Sequence, residues 1–249
     1  MKFIKNIFKN KKEIPGKSST FKNFYSLSPT CQIKVLPDLL ERYIGKINDG
    51  YFVEFGAYDG EFASNTSGLA DMGWHGLYIE PVKEFFEMAK ARHQGNTSVK
   101  VVNIAVGDEK KCAEISIGGP LSTISKETFE CFKTFEWAAG CLTDETQKVE
   151  QDLLQNILTK YDVPQYFDVL SVDVEGYEYE ALRKFNLNGW MPKVIIIELH
   201  DNNINYPHEW ETSGKLHRLI SDTGYEIIFK DTSNTVYVSD LINLHERRD

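Results

Sequence analysis

The chain alternates between short apolar runs and stretches with helical periodicity, and this alternation is the feature that most restricts its fold. The predicted strands cover seven runs, at residues 51–55, 76–79, 99–104, 167–172, 194–199, 226–229 and 235–238. The predicted helices cover residues 36–45, 64–72, 82–92, 144–160, 177–185 and 212–222. Strands that alternate with helices form a parallel sheet with helices on both faces. We therefore predict an α/β fold.

The connection between the last two predicted strands differs from the others. Only the short sequence "KDTS", residues 230–233, separates them. A link of this length permits a hairpin and is too short for a crossover helix, so the last strand is predicted to be antiparallel. A further strand is predicted at residues 112–117.

Three segments lie outside this alternation. Residues 1–48 are predicted to form a basic N-terminal arm, loosely packed through residue 30, followed by one helix; residues 49–240 form the main domain and residues 241–249 a tail. The arm is either a solvated extension or a weak contact with a membrane surface. Residues 118–145 form an aromatic insertion, which is either a helix packed on the core or a lid over a ligand.

Composition and charge limit the classes of partner. The formal net charge of -9 argues against nonspecific binding of nucleic acid, because the phosphates would be repelled. The four cysteines contain no CxxC pair and no zinc-like spacing, which indicates free thiols and a cytoplasmic location. No segment approaches the roughly 20 consecutive apolar residues of a membrane span.

Polar side chains, mostly acids, follow five successive predicted strands at the point where each strand ends. They are Glu54 and Asp59 after the first strand, Glu80 after the second, Asn103 and Asp108 after the third, Asp173 and Glu175 after the fourth, and Glu198 and His200 after the fifth. In open parallel sheets, ligands bind at the carboxyl ends of the strands. The sequence therefore predicts a ligand site at this edge.

Glu80 and the loop after the first strand predict the kind of ligand. An acid at the end of the second strand can accept hydrogen bonds from both hydroxyls of a ribose, which implies a nucleoside cofactor. The loop, "GAYDG" at residues 56–60, lacks the GxGxxG pattern that admits a pyrophosphate, and Asp59 would repel one. Because Glu54 and Asp59 would instead attract a cationic cofactor, the sequence favours S-adenosylmethionine over NAD.

Several motifs in this order resemble the FkbM-type methyltransferases, within the class I S-adenosylmethionine-dependent fold. They are "FVEFGAYDG", "SNTSGL", "GWHGLYIEP", "NIAVGD", "DVLSVDVEGYEYEAL" and "VIIIELH". The resemblance covers residues 51–238 apart from the aromatic insertion. It implies a Rossmann-like, seven-stranded, mostly parallel sheet with an antiparallel last strand. Tyr58 departs from the family pattern, because many methyltransferases have a glycine or a small polar residue there.

The resemblance also implies which residues hold the cofactor. Glu54, Gly56 and Gly60 would line its methionine end, Asn65 and Thr66 would lie near its carboxylate, Glu80 would hold the ribose, and Ala105 or Val106 with Asp108 would face the adenine. Ala57, Asp59, Pro81 and Asp173 complete the predicted cofactor site.

Methyl transfer to a hydroxyl requires an acceptor positioned in line and a group that removes its proton. The candidate catalytic residues are Asp173, Glu175, Glu198 and His200. Either His200 or Asp173 acts directly as the base, or Asp173, Glu198 and His200 bind Mg²⁺ or Mn²⁺, which lowers the pKa of the hydroxyl. Glu178 is predicted only to cap the helix that follows.

The predicted function is O-methylation, which the resemblance directs to a sugar hydroxyl of a glycan or glycoconjugate. Trp137, Tyr206 and Trp210 could stack on a sugar face or could be packing residues. The alternatives are a methyltransferase of other small molecules, an oxidoreductase with a nucleotide cofactor, and a noncatalytic protein that keeps the fold for binding a partner.

Overall fold

The computed structural model describes residues 24–240 and contains one large sheet and one small sheet. The strands are β1 (Tyr51–Phe55), β2 (His75–Ile79), β3 (Val99–Val102), β4 (Ala105–Val106), β5 (Lys111–Ser116), β6 (Thr146–Asp152), β7 (Val169–Val172), β8 (Val194–Glu198), β9 (Tyr225–Lys230) and β10 (Asn234–Ser239). The helices are α1 (Leu36–Ile44), α2 (Ser67–Asp71), α3 (Lys83–His93), α4 (Lys126–Phe132), α5 (Leu154–Lys160), α6 (Glu178–Leu182), α7 (Leu187–Trp190) and α8 (Trp210–Ser221). A short 3-10 helix, Pro207–Glu209, precedes α8.

The large sheet has seven strands in the order β3-β2-β1-β7-β8-β10-β9. The first five strands of this order pair in parallel. Strand β10 is antiparallel to both of its neighbours, β8 and β9. The predicted seven-stranded, mostly parallel sheet with an antiparallel last strand is therefore confirmed, and the short link after β9 is the physical reason for the reversal.

Apolar side chains cover both faces of the large sheet. Val53 and Phe55 face a core that includes residues of α5, α6 and α8, whereas Phe52 faces a second core with residues of α1 and α2. Ile195 and Ile196 divide between the two cores in the same way. Successive residues of a strand point to opposite faces, so a strand buried on both sides reads as a continuous apolar run.

The prediction of a loosely packed arm through residue 30 is wrong at Tyr25, where the chain packs into the core. Tyr25 is buried, its ring lies 5.9 Å from that of Trp74, and its hydroxyl donates a hydrogen bond of 2.6 Å to the carbonyl of Gly45. Tyr25 is followed by a polar stretch, so the sequence shows no periodicity there. Its side chain nevertheless packs in the second core. The proposed membrane contact of the arm falls on residues 1–23, which lie outside the described residues.

The predicted helix at residues 144–160 is wrong in its first half. Residues Thr146–Asp152 form β6, which pairs with β5 in antiparallel register and with β4 in parallel register. Val149 and Gln151 are buried while their neighbours are more exposed, so the segment alternates as a half-buried strand does. The predicted strand at residues 112–117 is confirmed as β5, but it lies in this small sheet.

The aromatic insertion contains the single short helix α4. Phe129 and Phe132 are buried with Ala138 and Tyr206, whereas Trp137 is 45% exposed. The residues before α4 run along the edge of the large sheet, where Gly119 and Thr123 contribute to a cleft. Between residues 24 and 240, no helix has both the length and the apolar character needed to cross a membrane.

Candidate active site

A cleft opens at the carboxyl ends of β1, β2 and β7. It encloses about 550 Å³, part of which is open solvent. Six residues of the predicted cofactor site line it, together with Glu175 from the predicted catalytic group; the six are Gly56, Glu80, Pro81, Ala105, Val106 and Asp173. Strand order therefore brings together side chains that are more than a hundred residues apart in the sequence.

Gly56 allows the loop after β1 to approach the end of β7. Its φ of 81° lies in the left-handed region, and a Cβ atom built there would overlap the backbone oxygen of Asp173. Only glycine fits such an approach. Tyr58 also adopts a left-handed conformation, with φ of 47°. The loop therefore keeps a glycine-like backbone at the position where the sequence departs from the family pattern.

Glu80 is fixed in the cleft by two backbone N–H groups. Tyr58 N and Val82 N each donate to one oxygen of its carboxylate, both at 2.8 Å. Burial raises the pKa of Glu80 to about 8, although both hydrogen bonds oppose this shift. The carboxyl group is thus oriented before any ligand binds, and its remaining lone pairs can accept hydroxyl donors.

Glu54, Asn65 and Thr66 are buried next to the site and do not line the cleft within the described part of the chain. The Glu54 carboxylate accepts hydrogen bonds from Thr66 Oγ1 at 2.7 Å and from Ser64 Oγ at 3.1 Å. Burial raises the pKa of Glu54 to about 7. These contacts hold the segment before α2 against β1, and Ala57 is buried in the loop between them.

Three other predicted cofactor residues make structural contacts. Asp59 Oδ1 accepts from Glu61 N at 2.9 Å and from Phe62 N at 2.7 Å, so it closes the turn that it belongs to. The carbonyl of Gly60 lies 2.8 Å from His93 Nε2. Asp108 forms an ion pair with Arg183 and is not among the residues that line the cleft within residues 24–240.

Three carboxylates converge at one end of the cleft. Asp173, Glu175 and Glu198 each offer an oxygen, and these oxygens lie within 4.8 Å of one another. Burial raises the pKa of all three groups, and their mutual repulsion raises the pKa of Glu175 and Glu198 further. Such a group shares protons, because closely spaced carboxyl groups in a buried site cannot all ionise.

His200 lies beside this group and is held on two sides. Its Nδ1 lies 3.2 Å from Glu209 Oε2, and its Nε2 lies 3.9 Å from Glu198 Oε1. The imidazole stacks on the ring of Tyr206 with centroids 4.0 Å apart. Because a carboxylate can only accept from Nδ1, Glu209 favours the tautomer with the proton on Nδ1.

Glu209 was not predicted from the sequence. It is buried, and the Thr128 hydroxyl of α4 donates to its other oxygen at 3.5 Å. Gly176 makes room for this contact, since a Cβ atom there would overlap Thr128 Oγ1. The aromatic insertion therefore contacts His200 through Glu209. The sequence offered only one indication of Glu209, an acid nine residues after His200 in a segment without periodicity.

The structure assembles a different set of potential metal ligands from the predicted one. Asp173 and Glu198 lie together as predicted, but the third converging side chain is Glu175, and Nδ1 of His200 is directed to Glu209. The prediction that Glu178 caps the helix is wrong: its carboxylate accepts from the N–H groups of Val174 and Gly176 at 3.1 Å each, so it closes the loop before α6, whose N-terminus has no side-chain cap.

The strand order and the cleft at the carboxyl ends of the strands define the Rossmann-like class I fold of S-adenosylmethionine-dependent methyltransferases. The model of the methyltransferase FkbM domain matches residues 54–227. The chain belongs to this family, and it is an S-adenosylmethionine-dependent methyltransferase. The family assignment excludes the alternative of a nucleotide-cofactor oxidoreductase.

Comparison with solved structures gives distant similarities. An O-methyltransferase from Bacillus cereus in complex with SAH is 15% identical with a TM-score of 0.47, and the match covers 86% of this chain and 83% of that one. Fibrillarin from Aeropyrum pernix with bound S-adenosyl-L-methionine is 13% identical with a TM-score of 0.41, covering 82% and 74%. The SAH-bound methyltransferase PaMTH1 of Podospora anserina is 11% identical with a TM-score of 0.44, covering 76% and 71%. Comparison with curated protein sequences gave no match.

Proposed function

We propose that this methyltransferase transfers a methyl group to a hydroxyl of a neutral sugar in a glycan or glycoconjugate. The observation that carries the proposal is the grouping of the half-buried carboxylates Asp173 and Glu198 with the buried His200 at the end of the cofactor cleft. Such a grouping suits an acceptor that loses a proton as it is methylated.

The cleft residues fit the cofactor. Gly56 lines the cleft without a side chain, Glu80 presents oriented oxygens for a ribose, and Ala105 and Val106 provide apolar walls for an adenine. When bound, S-adenosylmethionine supplies an electrophilic methyl group on a sulfonium. The carboxylates at this end of the cleft balance that positive charge.

Asp173 is the proposed base because it lines the cleft, whereas His200 lies behind Glu198. In the proposed transfer, the acceptor oxygen would take the methyl group as the methyl–sulfur bond breaks and the neutral thioether leaves, and the acceptor proton would pass to the Asp173 carboxylate. The raised pKa of Asp173, caused by burial, makes this carboxylate a stronger base than an exposed one. Glu198, which lies beside Asp173, can then share the proton with it.

A neutral sugar suits the surroundings of the cleft. The acidic cluster and the net charge of -9 disfavour an anionic acceptor. Trp137 is 45% exposed and stacks on Phe135 with centroids 5.5 Å apart, and Phe135 in turn lies 5.5 Å from Tyr206, which stacks on His200. Aromatic faces of this kind can receive the apolar face of a sugar ring.

A second possible mechanism uses a divalent cation, and the convergence of Asp173, Glu175 and Glu198 favours it. All the ligands are carboxylate oxygens, which Mg²⁺ or Mn²⁺ would prefer. In this second mechanism the metal would lower the pKa of the acceptor hydroxyl, and His200 would not be one of its ligands. Turnover that is unaffected by EDTA would exclude this mechanism and leave Asp173 as the base.

The remaining parts of the proposal concern location and partners. We place the protein in a reducing, cytoplasmic compartment, since its cysteines at positions 31, 112, 131 and 141 are free thiols. Nucleic acid is not proposed as a partner because of the net negative charge. A weak membrane contact of the basic arm, residues 1–23, also remains part of the proposal.

The experiment is an acceptor screen with S-adenosylmethionine and a panel of neutral oligosaccharides, with simple phenols as the other arm. We expect mass spectrometry to find a single added methyl ether on a sugar. Asp173→Asn should lower kcat by about a hundredfold or more and spare S-adenosylhomocysteine binding. Methylation of phenols alone would reject the sugar, and unchanged kcat in Asp173→Asn would reject the base.

The aromatic contact has its own matched pair of variants. Trp137→Ala should raise KM for the sugar by about tenfold with little change in stability, because the side chain is half exposed. Tyr166→Ala is the control, since Tyr166 is 56% exposed and precedes β7 at the opposite end of that strand from the cleft. Equal effects in both variants would contradict the proposed sugar contact.

A further inference from the structure

A short segment before α1 crosses the edge of the large sheet next to the candidate site. We call residues 28–32 the N-terminal strap. Thr30 Oγ1 donates to the carbonyl of Glu61 at 2.7 Å, and Cys31 Sγ donates to Asn65 Oδ1 at 3.4 Å. The strap lies outside residues 54–227, which match the family model. It therefore adds contacts to the site that the family motifs do not contain.

Gln32, the last residue of the strap, contacts the group of three carboxylates, Asp173, Glu175 and Glu198, at Asp173. Its Nε2 donates to Asp173 Oδ2 at 3.4 Å, across 141 positions in the sequence. Its Oε1 is buried and has no hydrogen-bond partner among the described residues. A buried carbonyl oxygen without a donor is unfavourable, so a group that supplies a donor at this place would bind with a gain in free energy.

The charges around Gln32 indicate which donor fits. Its amide contacts Asp173, and the neighbouring carboxylates of Glu175 and Glu198 make the surroundings negative. A cationic donor gains from this field, whereas a neutral hydroxyl does not. The adjacent strap residue Cys31 contacts Asn65, which the family resemblance places near the methionine end of the cofactor.

We propose that Gln32 binds the α-ammonium group of S-adenosylmethionine through Oε1 while its Nε2 holds the Asp173 carboxylate in position. This inference rests on the cofactor part of the proposed function and is independent of the acceptor. The neutral amide adds an acceptor for the ammonium without adding a further negative charge to a group of acids that already share protons. Gln32 thus couples cofactor binding to the orientation of the base.

The test compares two ligands by calorimetric titration of the full chain. S-adenosylhomocysteine carries the α-ammonium group, and 5′-methylthioadenosine has the adenosine and the thioether without the amino acid part. Gln32→Met keeps the length of the side chain and removes the amide. We expect it to weaken S-adenosylhomocysteine by about tenfold or more and to leave 5′-methylthioadenosine unchanged.

Gln155→Met is the matched control. Gln155 lies on α5, its Nε2 donates to the carbonyl of Lys184, and its Oε1 is also buried without a partner among the described residues. We expect this variant to bind both ligands as the wild type does. The melting temperature of ligand-free Gln32→Met should not fall, because the substitution removes an unsatisfied buried oxygen.

Three results would overturn the inference while the wild type still binds S-adenosylhomocysteine. Unchanged affinity in Gln32→Met would show that the amide does not contact the ligand. Equal weakening of both ligands, or a lower melting temperature, would assign Gln32 to packing. A raised KM for the acceptor with unchanged cofactor affinity would assign the amide to the acceptor hydroxyl. Failure of the wild type to bind S-adenosylhomocysteine would instead reject the cofactor part of the proposed function.

Discussion

At the scale of single residues, the histidine of the candidate site depends on a side chain that no motif contains. Glu209 accepts from Nδ1 of His200, and the stacked ring of Tyr206 restricts rotation of the imidazole. Nε2 is therefore the nitrogen that faces Glu198. A residue that fixes a tautomer acts on catalysis through its neighbour and need not touch the substrate.

Glu209→Gln tests this role. The amide group of glutamine can donate to Nδ1, so we expect the imidazole proton to move to Nε2, where it cannot accept the proton from the acidic group. The ¹⁵N chemical shifts of His200 report the tautomer directly, and kcat should fall by about ten- to a hundredfold with little change in cofactor affinity.

Glu211→Gln is the control for this variant. Glu211 lies two residues further along, exposed, and pairs only with Lys215 at 2.6 Å in the described contacts. It should keep both the tautomer and kcat. An unchanged Nδ1–H signal in Glu209→Gln would mean that another group orients His200.

The residues that could be predicted are those whose place follows from a strand end. Glu80 and Asp173 line the cleft because β2 and β7 end there, and an apolar run followed by an acid is visible in the sequence. Gln32 and Glu209 belong to segments without periodicity, and they reach the site only through the folded path of those segments. Asp59 and Asp108 also follow strand ends in the sequence. Asp59 accepts a hydrogen bond within its own turn, however, and Asp108 forms an ion pair with Arg183.

At the scale of secondary-structure elements, the small sheet explains the main error of the sequence prediction. The segment "TQKVEQD" of β6 contains one apolar residue, and polar strands on an open face have weak strand signals. Its pairing with β5 and β4 decides the conformation, and both partners are distant in the sequence. The strands of the large sheet were predictable because burial on both faces makes their apolar runs continuous.

The ends of β1 and β7 lie in close contact at Gly56, and we expect the stability of the protein to depend on this contact. Gly56→Ala should lower the free energy of unfolding by more than about 3 kcal/mol, because it combines a left-handed backbone with an overlap on the Asp173 carbonyl. Gly45→Ala should cost less, about 1 to 3 kcal/mol, because Gly45 has φ of 73° and ψ of -162°, which strain alanine, but no atom lies within 4 Å of its Cβ position.

Urea unfolding of the two glycine variants separates backbone strain from collision. Both substitutions place alanine at a positive φ, and only Gly56→Ala adds an overlap, so a larger loss of unfolding free energy in Gly56→Ala reports the collision. Equal losses would mean that the two strand ends can separate freely, and the cleft would then not depend on Gly56.

At the scale of the whole molecule, the site is a concentration of buried acids at one edge of the sheet. Burial raises the pKa of Glu54 to about 7 and that of Glu80 and Glu178 to about 8, and it raises the pKa of Asp173, Glu175 and Glu198 as well. These groups oppose the stability of the ligand-free protein whenever they ionise. Groups with raised pKa values that are concentrated in one cleft are typical of a functional site, and the proposed binding of a cationic cofactor there would offset this cost.

The stability of the ligand-free protein should therefore rise as pH falls from 8 to 6. The folded chain holds protons on these acids up to pH 7–8, whereas the unfolded chain releases them near 4.5. Because the folded state binds more protons in this window, its free energy of unfolding decreases with increasing pH, by about 1.4 kcal/mol per pH unit for each such acid. We expect a total change on the order of 6 kcal/mol, measured by urea unfolding at each pH.

Glu80→Gln assigns part of this pH dependence to a single group. Glutamine keeps the size of the side chain and cannot ionise, so the variant should show a shallower profile between pH 6 and 8 and should be the more stable protein at pH 8. Glu211→Gln should keep the wild-type slope, because that carboxylate is exposed. Saturating S-adenosylhomocysteine should also flatten the profile if bound ligand donates to the Glu80 carboxylate. A wild-type profile that is flat or rises with pH would contradict the buried-acid account of this site, and equal slopes in both variants would show that Glu80 titrates as an exposed acid does.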